Sequence, residues 1–172
     1  TLLIVAGLAG GAGWWLDRFL HGWTLILTIA LGSTGLAARS LYDHVAAVSK
    51  ALDPDTNLPV ARAAVAMIVG RDTAALDEAG VASTALESLA ESFNDGVVAP
   101  LFWFLIFGLA GLFAYKAVNT ADSLIGHREE PWRCFGWAAA RADDLMNLVP
   151  ARLAGGLIAL VAFDSRGEIL GL

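Results

Sequence analysis

The chain has one cysteine, Cys134, which excludes an internal disulfide framework and a cysteine-based zinc site. That residue reads as a small packing group. Charge is scarce: 16% of the residues are charged, whereas soluble domains carry about 25%. The deficit points away from an ordinary soluble protein and toward a membrane. Positive charge is the scarcer sign. The formal net charge is −6, which argues against nucleic acid as a partner. Strand alternation of useful length is missing, as are internal repeats and low-complexity tracts. There is no P-loop, no GxSxG and no dinucleotide fingerprint. His21, His44 and His127 lack metal-ligand spacing and read as packing or interface residues. The chain opens at Thr1 inside a hydrophobic run with no basic segment ahead of it, so it does not look like a signal peptide.

What is abundant is apolar. Hydrophobic residues make up 57% of the chain, and the mean hydropathy is +0.63. Four apolar runs stand out: Thr1 to Leu16, Trp23 to Ala38, Val97 to Tyr115, and Leu153 to Phe163. The first two are short and read as a helical hairpin around Asp17, Arg18 and His21. Trp14, Trp15 and Trp23 flank that connection as an interfacial aromatic belt would. The third is the strongest spanning candidate, with Pro100 compatible with its first turn. The fourth is shorter and reads as a partial span. The amphipathic region from Arg39 to Gly96 predicts a helix through Leu41, Val45, Val48 and Leu52, ended by Asp53, Pro54 and Asp55. A second helix is predicted from Leu58 or Pro59 to Val69, closed by Gly70. Asp72 or Thr73 can cap a short helix to Ala79, and Ser83 can cap another from Thr84 to Phe93. The expected architecture is all-α. It is a polytopic integral membrane protein with amphipathic helices and re-entrant segments, a single membrane domain over 1–172, and a fragment of a longer chain. The balance of basic residues does not fix its orientation. If the third run simply spans, the polar segments before and after it lie on opposite sides. They can share one site only within the membrane, or if one segment re-enters.

The polar clusters beside these runs carry the chemistry. Glu87, Glu91 and Asp95 recur every four residues and would form one acidic helical stripe. Like charges at that spacing repel, so the stripe suits a hard cation such as magnesium, or else a solvated face. Arg71, at a helix end beside Asp72, could hold phosphate in a fork geometry, or simply pair locally. Lys116, Asn119, Asp122 and Ser123 would share one face just beyond the third run. An ammonium, an amide, a carboxylate and a hydroxyl suit a phosphorylated substrate and its metal; helix-end anchoring and capping are the plainer reading. Arg141, Asp144 and Asn147 or Leu148 share a face, with Asp143 beside them. Pro150 then interrupts the helix and Arg152 follows.

At these motifs the chain resembles the CobD/CbiB family of membrane proteins, the cobinamide-phosphate synthases of cobalamin biosynthesis. The matching segments are ARAAVAMIVGRDT, LDEAGVASTALESLAES, NDGVVAPLFWF, YKAVNTADSLIG and FGWAAARADDLMNLVPARL, in that order. Ser92 departs from the family pattern, which reads Asn there. The resemblance implies a multi-pass protein of the bacterial cytoplasmic membrane. It implies ATP-dependent joining of aminopropanol, or its O-phosphate, to a propionate carboxyl of adenosylcobyric acid. ATP is then a co-substrate and Mg²⁺ the cofactor. Glu87, Glu91, Asp95, Asp122 and Asp144 are the expected metal or amine-orienting groups, with Glu87, Glu91 and Asp122 catalytic. Arg71, Lys116, Asn119, Ser123, Arg141 and Arg152 are the expected substrate and phosphate contacts. The expected partners are the two substrates, the lipid bilayer and a second copy of the chain. Two other functions fit less well. One is a magnesium-dependent membrane transferase acting on diphosphate substrates, whose paired aspartate motifs would need a different spacing. The other is a transporter or non-enzymatic membrane subunit with buried charge pairs.

Overall fold

A computed structural model describes residues 2–19, 38–51, 57–69, 72–126 and 136–170. Every regular element among them is helical: α1 (Leu2–Phe19), α2 (Ala38–Ala51), α3 (Leu58–Ala66), α4 (Glu78–Phe93), a π turn (Asn94–Val98), α5 (Ala99–Ile125), α6 (Trp137–Met146) and α7 (Pro150–Leu170). The second apolar run falls almost entirely outside the described residues, as do His21, Trp23, Asp53, Arg71, His127 and Cys134. The chain divides into two compact units. One holds Thr1–Leu36 and Asn94–Leu172, the other Ala37–Phe93.

In the smaller unit, Ala61 and Val65 of α3 pack against Val81 and Ala85 of α4, with Leu58, Ile68, Val69 and Leu76 around them. Helix α3 starts where the sequence places it. The Asn57 side chain accepts the Val60 N–H at 3.2 Å, and Pro59 sits in the first turn, where its missing N–H costs nothing. Helix α4 starts earlier than the Ser83 cap predicts. Asp77 Oδ1 accepts the Gly80 N–H at 2.8 Å, so Asp77 is the capping residue. The expected short helix after Asp72 is instead a turn, in which Asp72 accepts the Ala74 N–H. The Thr73 hydroxyl donates across to the Arg62 carbonyl.

The larger unit is built around a reversal inside α5. Phe107 (φ −128°, ψ 15°) and Gly108 (φ 61°, ψ −148°) leave the helical region. The backbone at Gly108 is open to glycine alone. Beyond it the chain turns back. The Gly111 Cα lies against the Trp103 carbonyl so closely that a side-chain carbon there would collide. Tyr115 and Asn119 reach Asp95 from 20 and 24 residues along the chain. In an unbroken helix, at about 1.5 Å per residue, those separations would be about 30 Å or more. The pairs Trp103–Gly111 and Asp95–Asn119 both centre on Phe107, as two antiparallel arms require. The stretch Glu78–Ile125 is long and apolar enough to cross a membrane by length and composition. Its apolar part, Val97 to Tyr115, is nonetheless not the single spanning helix expected from sequence. It is a helical hairpin that opens with a π turn. Pro100 lacks the N–H that the Gly96 carbonyl would accept in an α-helix, consistent with the wider turn there.

Helix α1 packs on the hairpin through its small residues. The Gly13 Cα sits on the Leu109 backbone with no room for a side chain, and Gly10 faces Ala110 and Ala114. Most other side chains of α1 face outward: Leu3, Ile4, Leu8, Trp14, Trp15 and Phe19 are exposed. So are Leu153, Leu157, Leu160 and Phe163 of α7. As the sequence anticipates, Pro150 separates two helices, α6 and α7; it forms the first residue of the second and is fully buried.

Candidate active site

The reversal brings the two ends of α5 together, and there the polar residues converge. Asp95 lies in the π turn and is the hub. Its Oδ2 accepts the Asn119 amide at 3.1 Å, and its Oδ1 accepts the Asn94 amide at 2.7 Å and the Tyr115 hydroxyl at 3.4 Å. Lys116 Nζ lies 3.5 Å from the Asp95 carbonyl. Helix α6 closes the cluster. The Asn119 amide also reaches Asp143 Oδ1 at 3.3 Å, and the Asn147 amide donates to Asp143 Oδ2 at 2.9 Å. The Asn147 carbonyl oxygen accepts from Asn94 and Tyr115 at 2.8 and 3.2 Å. Trp103 Nε1 pins α6 to the first arm by donating to the Met146 carbonyl at 3.1 Å.

Asn119 is thus a bridge between two carboxylates, Asp95 and Asp143. Burial pushes the Asp143 carboxyl from 3.8 up to about 6, and the Asp95 charge pushes the same way. The amides of Asn119 and Asn147 oppose the shift, and the Asp122 charge adds to it. Two carboxylates, Asp95 and Asp143, therefore crowd one place, with Lys116 as the adjoining cation. Tyr115 is fully buried. Asn94 is also buried, and both its N–H groups are used while its Oδ1 has no hydrogen-bond partner among the described residues. An unsatisfied buried acceptor is uncommon and calls for an explanation.

The sequence-predicted residues separate on this geometry. Asp95, Lys116 and Asn119 belong to the cluster, and Asp122 acts on it by charge. Ser123 donates to the Asn119 carbonyl one turn back. Asp144 pairs with Arg141 at 3.4 Å, both largely exposed, so that pair is a surface contact. Arg152 donates to the Leu148 carbonyl within its own turn. Glu87 and Glu91 are exposed on α4, in the other unit. The α-helical stripe they begin ends at Phe93, because Asp95 lies in the π turn. Among the described residues no three His, Cys, Asp or Glu side chains group closely enough to hold a metal by themselves.

Asn94 and Tyr115 of the cluster are not singled out by the sequence, and Asp143 appears there only as the neighbour of the Arg141 and Asp144 face. Asp143 and Asn147 stand four apart on α6, a spacing that already places them on one face. Tyr115 is the polar-tipped aromatic that closes the apolar run. Nothing in the local pattern marks Asn94.

The family model described as CobD/Cbib protein matches residues 1–169. Cobalamin biosynthesis protein CobD of Rhodobacter capsulatus is 59% identical over 127 residues, which are 74% of this chain and 40% of that protein. The CobD of Brucella suis is 51% identical over 146 residues, 85% of this chain and 44% of that protein. The CobD of a Sinorhizobium species is 48% identical over 170 residues, 97% of this chain and 52% of that protein. The chain thus spans about half the length of the curated relatives it matches, or somewhat less. No solved structure matches. The family model covers nearly every described residue, the cluster included, and the chain belongs to the CobD/CbiB family.

Proposed function

We propose that this chain carries the core of a membrane-associated amide ligase of cobalamin biosynthesis. The reaction joins the amine of aminopropanol, or of its O-phosphate, to a propionate carboxyl of adenosylcobyric acid, with ATP as co-substrate. The observation that supports it is the Asp95–Asn119–Asp143 bridge at the base of the α5 hairpin. Cobalamin biosynthesis comes from the names of the relatives, and the amide-forming step from the family resemblance.

The chemistry asks for what the cluster contains. A carboxylate resists attack by an amine. Transfer of the γ-phosphoryl group of ATP to a carboxylate oxygen gives an acyl phosphate and ADP. The amine nitrogen then forms the C–N bond, the C–O bond to phosphate breaks, and the amine's proton must be taken up. Negative charge accumulates on phosphoryl oxygens and needs fixed cations and donors. Lys116 would supply the cation. Asp95, Asp122 and Asp143 would orient an ammonium group and accept its proton.

The donor set also fits magnesium. It offers carboxylate and amide oxygens, two of the carboxylates repel one another, and the Asn94 oxygen lacks a partner. Magnesium is commonly held by one or two carboxylates with phosphate oxygens completing its shell, so a dedicated three-carboxylate cage is not required. Asp95 and Asp143 would hold it, and it would supply charge neutralisation at the phosphates.

The test uses the full-length protein in native membranes with adenosylcobyric acid, ATP, magnesium and either amine. One ADP released per amide formed is the expected result. Amide formation without ATP turnover, or ATP hydrolysis with no amide under any amine, would overturn this function.

A further inference from the structure

The α5 hairpin divides along its length. At the base stand Asp95, Tyr115, Lys116 and Asn119, tied together by hydrogen bonds. On the first arm at the tip, Leu105 is 74% exposed, Ile106 is half-exposed and Phe107 is exposed, whereas Leu109, just past the turn, is buried. Leu101, one turn below, is exposed as well. A hairpin folded in water would bury its tip or make it polar, because turns in water are rich in polar residues. This one carries its most apolar side chains where the chain reverses.

The lengths agree with a particular placement. The first arm, 99–106, covers about 12 Å, whereas the hydrocarbon core of a bilayer is about 30 Å thick. The arm can therefore enter one leaflet but cannot cross both. Reversal inside hydrocarbon is tolerated only where the freed backbone groups find partners in the protein. Here the first N–H beyond the turn, at Leu109, is taken by Asp17 Oδ2 at 3.0 Å. Helix α1, packed on the second arm, also leaves Leu3, Ile4, Leu8, Trp14 and Trp15 exposed, and Arg18 is exposed at its end beside Asp17.

We propose that the α5 hairpin is a re-entrant element: its tip sits among the acyl chains of one leaflet, and the chain enters and leaves on the same face of the membrane. The occupant of the exposed tip is lipid. The polar cluster at the base then lies at the water boundary of that leaflet, open to water-soluble substrates from one side. This placement rests on the membrane association proposed above and is independent of the amide chemistry.

The test replaces Cys134 with serine in the full-length protein and adds single cysteines at Ser92 and Thr120, which are exposed and flank the hairpin. Both are challenged with a membrane-impermeant maleimide in right-side-out and in inverted vesicles. The re-entrant placement expects both positions to label in the same vesicle orientation and neither in the other. A cysteine at Leu105 should lose labelling in both. Labelling of Ser92→Cys and Thr120→Cys from opposite sides would overturn the proposal in favour of a crossing. Labelling of Leu105→Cys in intact vesicles would overturn it in favour of a tip in water. An independent measurement needs no substitution. A phospholipid with a photoreactive diazirine in its acyl chain should mark the peptide containing 101–107. An unmarked tip peptide beside a marked α1 would mean that protein, such as a second copy, covers the tip. Amide formation assayed on the same vesicles separates a wrong placement from a wrong reaction.

Discussion

Asp17 Oδ2 accepts the backbone N–H of Leu109 at 3.0 Å, across 92 residues of sequence. The break at Phe107 and Gly108 frees that N–H, and Asp17 restores its partner. An intrahelical cap could not serve, because Ile106, Phe107 and Gly108 offer no side-chain acceptor. A hydrogen bond to a charged partner contributes about 1.5–3 kcal/mol. Asp17→Ala should lose roughly that amount. Asp17→Asn, which keeps an acceptor oxygen, should lose less. Unfolding in mixed micelles against rising dodecyl sulfate measures both. Wild-type stability in Asp17→Ala would show that the turn does not depend on α1.

Gly108 makes a sharper case. Its φ of 61° with ψ of −148° is nearly closed to any residue with a side chain, and an added carbon would collide with Asp17 Oδ2. Gly108→Ala should destabilise the fold by about 1–3 kcal/mol from backbone strain alone. Gly155, inside α7, meets nothing within 4 Å where a side-chain carbon would stand. Gly155→Ala should therefore be neutral or stabilise by up to about 1 kcal/mol, since alanine favours helix. The same micelle titration reads both. A similar loss in the two variants would contradict the hairpin geometry.

Much of the helical framework is legible in the sequence, because helices announce themselves through spacing and caps. Pro59 and Pro150 sit where helices begin, and the start of α3 follows from Pro59. The reversal of α5 is not legible in the same way. Val97 to Tyr115 has the composition of a span throughout, and composition carries no sign of direction. Gly108 is one of three glycines in and around that run, and nothing local separates it from Gly111. The partner that makes the turn possible, Asp17, belongs to a distant helix. The site follows the same division. Lys116, Asn119 and Asp122 are legible as one helical face. The preference for Asp144 over Asp143 was not decidable, because neighbours on a helix differ by about 100° in facing and only packing says which face is inward.

Asp143 should make stability depend on pH. Its carboxyl is raised from 3.8 to about 6 by burial and by the Asp95 charge. The folded protein therefore holds this proton more tightly than the unfolded chain does. The associated stabilisation is fully present below 3.8 and is lost as pH rises through about 6. Asp143→Asn removes the titration, so the fall in thermal midpoint between those pH values should flatten relative to wild type. An unchanged profile in the variant would assign the dependence to another group.

The last prediction separates two aspartates that sequence alone treats as equals. Asp95 receives hydrogen bonds from Asn94, Tyr115 and Asn119, and its charge is felt by Asp143. Asp144 makes an exposed pair with Arg141, a contact of the kind worth about 0–1 kcal/mol. Asp95→Asn keeps the shape and removes the charge. If Asp95 orients the amine or holds magnesium, this variant should lower amide formation by about a hundredfold or more, since one electrostatic contact in an active site commonly has that effect. Asp144→Asn should retain nearly full turnover. Magnesium titrations sharpen the reading, because a weakened metal site is partly rescued by excess magnesium whereas a lost amine contact is not. Both variants must first show wild-type melting in the same micelles. Full activity in Asp95→Asn would remove the cluster from the reaction. Inactivity in Asp144→Asn with Asp95→Asn unaffected would move the site to the outer face of α6.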